Sequence, residues 1–225
     1  MTNSEKDRLR ELEAYQIIGQ PEDEDFDFIT SMAAQVCGTK IALISFITED
    51  KQWFLSHQGL DTRETPRKFS FCAHTIKNNG EPLIIEDARK DDRFSTNPFT
   101  TGEPFVVFYA GIPLTNQNGY TIGSLCIIDH SPKKITNEQL ELLKKLAKQA
   151  IHLLELRKSK LTLQSKNAAL QRSNALSKLM EEANRIGTWE LDIVTNKTTW
   201  SKVVYDIHEV PLGFDHNKTN GLNFY

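Results

Sequence analysis

Apolar residues return along this chain with two different periods, and the changes of period divide it into segments. In residues 4 to 18, Leu9, Leu12, Tyr15 and Ile18 recur every three positions, a helical stripe closed by Gly19-Gln20-Pro21. A second helix is predicted after Pro21, where Glu22 to Asp25 complement the positive end of the helix dipole. Its stripe is Phe26, Ile29, Ala33 and Val36, and it ends at Gly38. Ile41 to Thr48 is apolar at nearly every position, the pattern of an interior strand covered on both faces. Gln52 to His57 alternates, with Trp53, Leu55 and His57 on one side. Residues 59 to 69 predict a loop, Phe71 to Lys77 a short helix, and Leu83 to Glu86 a short strand. The polar stretch from Asp87 to Pro104 is long for a connection, and long ordered loops tend to carry function.

From Val106 to Asp129 two apolar runs flank Asn116-Gln117-Asn118-Gly119, a strong hairpin signal because Asn and Gly tolerate positive φ. Thr136-Asn137-Glu138-Gln139 then opens a helix with no Gly or Pro before Gly187. Leu140, Leu143, Ala147, Ala150, Leu154 and Leu161 alternate steps of three and four with one gap at Arg157, a coiled-coil seam that weakens and resumes shifted at Leu176 and Leu179. A helix of about 50 residues is about 75 Å long, more than one small domain can cover. After Gly187 the pattern becomes β, with Thr188 to Ile193 alternating, a turn at Thr195-Asn196 and a second short strand from Lys197 to Ser201. Residues 187 to 225 bury too little to stand alone and read as a truncated unit.

Of 225 residues, 39% are hydrophobic and 25% charged, and the net charge is −3 with Lys and Arg dispersed, which speaks against nucleic acid as a partner. No apolar run reaches the roughly 18 residues a membrane helix needs, and the charged N-terminus is not a signal peptide. The cysteines number 3 and are widely spaced, so no disulfide framework is expected and a reducing, cytoplasmic setting is.

Several motifs in order identify a resemblance: Ser70-Phe71-Cys72-Ala73-His74, Glu86-Asp87-Ala88, Asp92-Arg93-Phe94, Asn97-Pro98, Phe108 to Leu114 and Gly123 to Asp129. Residues 5–157 resemble a GAF domain of the bacterial sensor type. Gly187-Thr188-Trp189-Glu190, Trp200-Ser201 and Tyr205-Asp206-Ile207 look like the opening of a PAS domain over residues 187–225. The resemblance implies an α+β fold, with five or six antiparallel strands, flanking helices and a small-molecule pocket. It also implies a long signalling helix, residues 136–186, and a partial PAS-like hairpin. A GAF–helix–PAS order usually precedes an output domain, most often the histidine kinase of a two-component system.

Candidate chemistry centres on Cys72 and His74, which a short helix would point about 200° apart, a poor chelate. Buried structural roles are the commoner outcome for such residues. Cys126 lies on the second hairpin strand and reads as core; it could meet Cys72 only through the fold. Asp87 and Arg93 could orient a polar ligand, or simply cap turns and pair locally. Phe94, Phe99, Phe105, Phe108 and Tyr109 would wall a pocket or fill a core equally well, and Phe71 beside Cys72 is a further ligand-site candidate. His152 lacks the sequence of a phospho-accepting box, and no glycine-rich ATP-binding box is present, so kinase chemistry is not expected of this chain. No metal or cofactor is required. The expectation is a sensory input and dimerisation module, a parallel homodimer through the long helix with a possible small-molecule ligand. The alternative is a thiol redox enzyme using Cys72 or Cys126.

Overall fold

The computed structural model describes residues 5–195, 197–212 and 214. These fall into two compact units, one ending at Lys160 and one beginning at Leu161. Position 4, the predicted turn residue Asn196 and the tail from 215 lie outside the described residues.

The first unit opens with α1, Glu5–Glu13, and α2, Glu24–Cys37. α1 stops earlier than its stripe predicts. Gln16 turns to φ +49, so Ile17 is buried while Ile18 is 40% exposed. Asp23 caps α2 by accepting from the Asp25 amide, and Gly38 closes it at φ +59, a conformation L side chains rarely adopt.

Six strands follow: β1, Ile41–Ile47; β2, Lys51–Gln58; β3, Glu64–Pro66; β4, Leu83–Ile85; β5, Phe108–Thr115; β6, Thr121–Asp129. Their order is β3-β2-β1-β6-β5-β4, with every neighbouring pair antiparallel. β1 and β6 are central and buried along nearly their whole length, as their continuous apolar runs require. β5 and β6 form the predicted hairpin. Of the Asn-Gly pair only Gly119 takes a positive φ, +81, while the Asn116 side chain accepts from the Asn118 and Tyr120 amides. β3 lies within the predicted 59–69 loop; its three residues are too few to alternate, and pairing with β2 alone makes it a strand. The Asp87–Pro104 stretch is folded by short turns and a one-turn helix, α4, Pro98–Thr101.

One sheet face packs on α2 and on α5, Asn137–Asn184. Thr136 and Gln139 cap α5 reciprocally, and the Gln139 amide also donates to the Val36 carbonyl, tying α5 to the end of α2. The other face packs on α3, Phe71–Thr75, and on the turns after β4. Buried Arg8 reaches from α1 to the Ile47 and Ile122 carbonyls, while Glu5 pairs with it and with Arg67.

The face of α5 predicted as a coiled-coil seam packs differently. Leu143, Ala147, Ala150 and Leu154 are buried against the sheet, so the first four-three pattern records packing within the chain. Leu140 and Leu161 are half-buried, and Leu176 and Leu179 are exposed. A second stripe on α5 is open instead: Leu156, Leu163 and Leu170, spaced by seven and each at least 59% exposed.

In the second unit, β7, Trp189–Asp192, pairs with β8, Lys197–Trp200, as predicted, and α6, Lys202–Ile207, follows. Val203 and Val204 are buried, and Trp200 packs on Tyr205 and His208.

Candidate functional site

β1 and β6 present alternate residues to the two faces, and on the α3 side this puts Leu43, Ser45, Ser124, Cys126 and Ile128 together. β2 adds Gln52 and Phe54, and β5 adds Tyr109. Loops rather than long helices cover this face, and they leave a cavity of about 590 Å³. Its floor includes buried Leu43, Gln52, Phe54, Cys72 and Tyr109, and its rim includes exposed Asp61, Thr62, Glu103, Phe105 and His130. Phe105 is held at φ +54, costly for an aromatic residue, and is 50% exposed at that rim. The size suits a small organic molecule.

A polar cluster sits in the floor. Ser70 caps α3 and sets Cys72 against the sheet, where its sulfur lies 3.5 Å from that of Cys126. The Gln52 amide donates to Cys72 Sγ at 3.1 Å and the Tyr109 hydroxyl at 3.4 Å. Thr75 Oγ1 lies 2.6 Å from the Tyr109 oxygen, and Ser45 meets Ser124 at 3.3 Å beneath the sulfurs.

Gly111, paired with Cys126 across the hairpin, makes this possible. A Cβ there would stand 2.2 Å from the Tyr109 oxygen and 2.6 Å from Thr75 Oγ1.

The two thiols are not equivalent. Burial opposes ionisation of Cys72, but hydrogen bonds from Cys126, Ser124, Ser45 and Tyr109 outweigh it and bring its pKa down to about 6. Cys126 moves well up, because it shares a hydrogen bond with Cys72 and is itself buried. The Tyr109 hydroxyl also moves well up, through burial and the neighbouring sulfurs, so it remains a donor. Cys37, half-buried on α2, is pushed up by burial.

The predicted site residues therefore separate. Phe71, Cys72 and Tyr109 line the cavity, and Cys126 stands directly behind Cys72. Phe94 stacks on Phe71 at 4.2 Å in the adjoining core. His74 points away from Cys72, edge-on to Phe94, as expected for residues two apart on a helix, and burial followed by Arg93 holds its pKa down. Asp87 caps the following turn and holds Arg89 bidentately, while Arg93 is held by Asp91. Neither Asp87 nor Arg93 lines the cavity, so local pairing accounts for both. Gln52, Thr75, Ser45 and Ser124 were not singled out in the sequence. The alternation of β2 did contain one signal, since it turns Gln52 to the same side as buried Phe54. Among the described residues no group of three His, Cys, Asp or Glu is arranged to hold a metal ion, and no helix is long and apolar enough to cross a membrane.

The family model for the GAF domain matches residues 22–153. A cyclic di-GMP phosphodiesterase of Pseudomonas aeruginosa is 46% identical over 111 residues, 49% of this chain and 19% of that protein. The chain thus matches about a fifth of the length of that curated relative. The GAF domain of an Acinetobacter phosphoenolpyruvate-protein phosphotransferase superposes with a TM-score of 0.52 at 18% identity, covering 71% of this chain and 97% of that one. A domain of a two-component sensor histidine kinase protein from Sinorhizobium meliloti gives 0.50 at 14%, covering 63% and 96%.

Proposed function

This chain belongs to the GAF domain family, and from that premise we propose that its cavity is the input site of a signalling module whose output element is α5. The observation that carries this reading is the double duty of β6. Ile128 and the adjoining His130 line the cavity, while Leu125 and Ile127 of the same strand belong to the core that holds α5. A molecule that displaces the cavity wall acts on the strand against which the helix rests. The wall is more apolar than polar, with Gln52 and Tyr109 in its buried floor and Asp61, Glu103 and His130 at its rim, so the ligand is a small molecule with an apolar body and a polar group.

The partner is a second copy of the chain, in parallel, through the open stripe Leu156, Leu163 and Leu170. Residues 187 onward are the start of a PAS domain, supported by the β7–β8 hairpin and the Trp200 cluster. The module works in the cytoplasm, where neighbouring thiols stay reduced. The Pseudomonas relative supports an output in cyclic di-GMP turnover; the histidine-kinase reading rests on the GAF–helix–PAS order alone.

Cysteine crosslinking tests the arrangement. Under mild oxidation Leu163→Cys is expected to link two copies efficiently and Ser165→Cys, about 200° round α5 from it, weakly. Equal linkage at both positions, or none at Leu163→Cys, overturns the pairing. Native mass spectrometry of the purified protein is expected to show a retained small molecule that Leu43→Trp, which fills the cavity, excludes.

A further inference from the structure

We propose that Cys72 and Cys126 form a reversible dithiol–disulfide site for a small hydroperoxide entering the cavity, with Cys72 attacking and Cys126 resolving. The proposal rests on the reading of that cavity as the input site, and it names one chemical class of signal.

Placement carries the assignment. Cys72 lines the cavity floor; Cys126 is behind it, fully buried, with its sulfur 3.5 Å away. Two donors converge on Cys72 Sγ, the Gln52 amide and the Tyr109 hydroxyl, and the Cys126 sulfur lies 3.5 Å away, within reach to donate once Cys72 is a thiolate. This is what a thiolate needs in a site without a cation, and the apolar remainder of the floor is poor surroundings for an uncompensated charge. The same donors can hydrogen-bond the oxygen of a bound peroxide. The lowered pKa of Cys72 and the raised one of Cys126 agree with the order of attack. Cys37 has no comparable surroundings.

In the first step the Cys72 thiolate attacks the terminal peroxide oxygen, an S–O bond forms and the O–O bond breaks. The alkoxide leaves, or hydroxide when the oxidant is hydrogen peroxide, and takes up a proton. Cys72 is then a sulfenic acid, oxidised by two electrons. In the second, Cys126 Sγ attacks Cys72 Sγ, the S–O bond breaks, and hydroxide departs as water with the Cys126 proton. The sum is two thiols and a hydroperoxide giving a disulfide, an alcohol and water. An external dithiol returns two electrons and two protons by exchange. Closing the sulfurs to about 2.05 Å draws Cys72 off Gln52 and Tyr109, so the oxidised floor presents different hydrogen-bond donors to the cavity.

The test treats the purified chain with hydrogen peroxide and follows it by non-reducing peptide mapping. The expected product is a peptide pair linked through Cys72 and Cys126 within one chain, lighter by two hydrogens, formed about ten-fold faster than any oxidation of Cys37. Cys126→Ser is expected to stop at a sulfenic acid on Cys72 that dimedone traps. Cys72→Ser is expected to leave Cys126 unoxidised, and Cys37→Ser to behave as the unaltered chain. Circular dichroism confirms that each variant is folded, with Cys72→Ala as a second variant should the serine not be tolerated. The proposal is overturned if Cys72 and Cys126 survive peroxide as long as Cys37, or if linkage occurs only between chains. If the thiols stay inert while the chain retains a small molecule in its cavity, the redox site fails and the cavity reading stands. If the disulfide forms and no other small molecule is retained, the redox site is supported and a stable ligand is not.

Discussion

The two faces of one sheet are built to different rules. The face under α2 and α5 is packed with apolar side chains, among them Ala42, Ile44, Phe46, Leu125 and Ile127 against Leu143, Ala147 and Leu154. The face under α3 carries Ser45, Gln52, Ser124, Tyr109 and two thiols among its apolar residues, and it contains a cavity. Residues one apart on the same strand, such as Leu125 and Cys126, belong to opposite regimes. Helices close one face tightly because an amphipathic stripe matches a pleated surface. Short turns span the other incompletely, and what they leave open is lined by apolar side chains with hydrogen-bonding groups set among them. Continuous apolar packing is concentrated on the first face and buried hydrogen-bonding groups around the two sulfurs on the second.

The contrast is broken most severely on the helix-covered face. Leu154→Ala removes a fully buried side chain there and is expected to cost about 2–5 kcal/mol in urea denaturation, because the sheet and helix cannot collapse fully onto the gap. A loss no larger than that of an exposed apolar residue away from the stripe, such as Phe28→Ala, would show that α5 is not integral to the domain. On the cavity side the sharpest change is an addition. Gly111→Ala forces a methyl group onto the Tyr109 hydroxyl and Thr75, an overpacking expected to cost about 1–3 kcal/mol while leaving the helix-covered face untouched. The same variant should slow alkylation of Cys72 near neutral pH, since its tyrosine donor is displaced; unchanged thiol reactivity would remove Tyr109 from the cluster.

A third effect is a pH dependence. The pKa of Cys72 falls on folding from an ordinary 9.0 to about 6, so its contribution to stability is present in full above the unfolded value and is lost as pH falls through the folded one. Between about pH 6 and 9 the wild-type protein should therefore gain stability relative to Cys72→Ser as pH rises. Above that window the opposite shift of Cys126 works against further gain. A flat difference between the two proteins across the window would mean that Cys72 stays a neutral thiol.

Local patterns along the chain specify one of these faces far better than the other. The continuous apolar runs of Ile41–Ile47 and Thr121–Asp129, the Gly119 turn and the capped start of α5 are local signals, and each appears where it predicts. The resemblance carried by Phe108 to Leu114 and Gly123 to Asp129 leads to the right fold for the same reason. The meeting of Cys72 with Cys126 depends instead on residues 54 apart in the chain, and that of Thr75 with Tyr109 on residues 34 apart. No periodicity encodes such distances. The stripe on α5 shows the opposite hazard. Leu143, Ala147, Ala150 and Leu154 satisfy a heptad, yet a sheet offers an apolar surface as good as a partner helix, and the same spacing serves both.

Because α5 runs unbroken from Asn137 to Asn184, a signal passed to it as proposed would leave the sheet as torque. Its surface lies about 5 Å from its axis, so a slide of 1 Å where Leu143 and Leu154 touch the sheet turns the helix by about 11°. A hydrogen-bonded helix resists twisting, and that angle reaches the stripe of Leu156, Leu163 and Leu170 largely undiminished. A change too small to reshape the cavity can thus be delivered at a distance as an azimuth, in the direction each leucine faces.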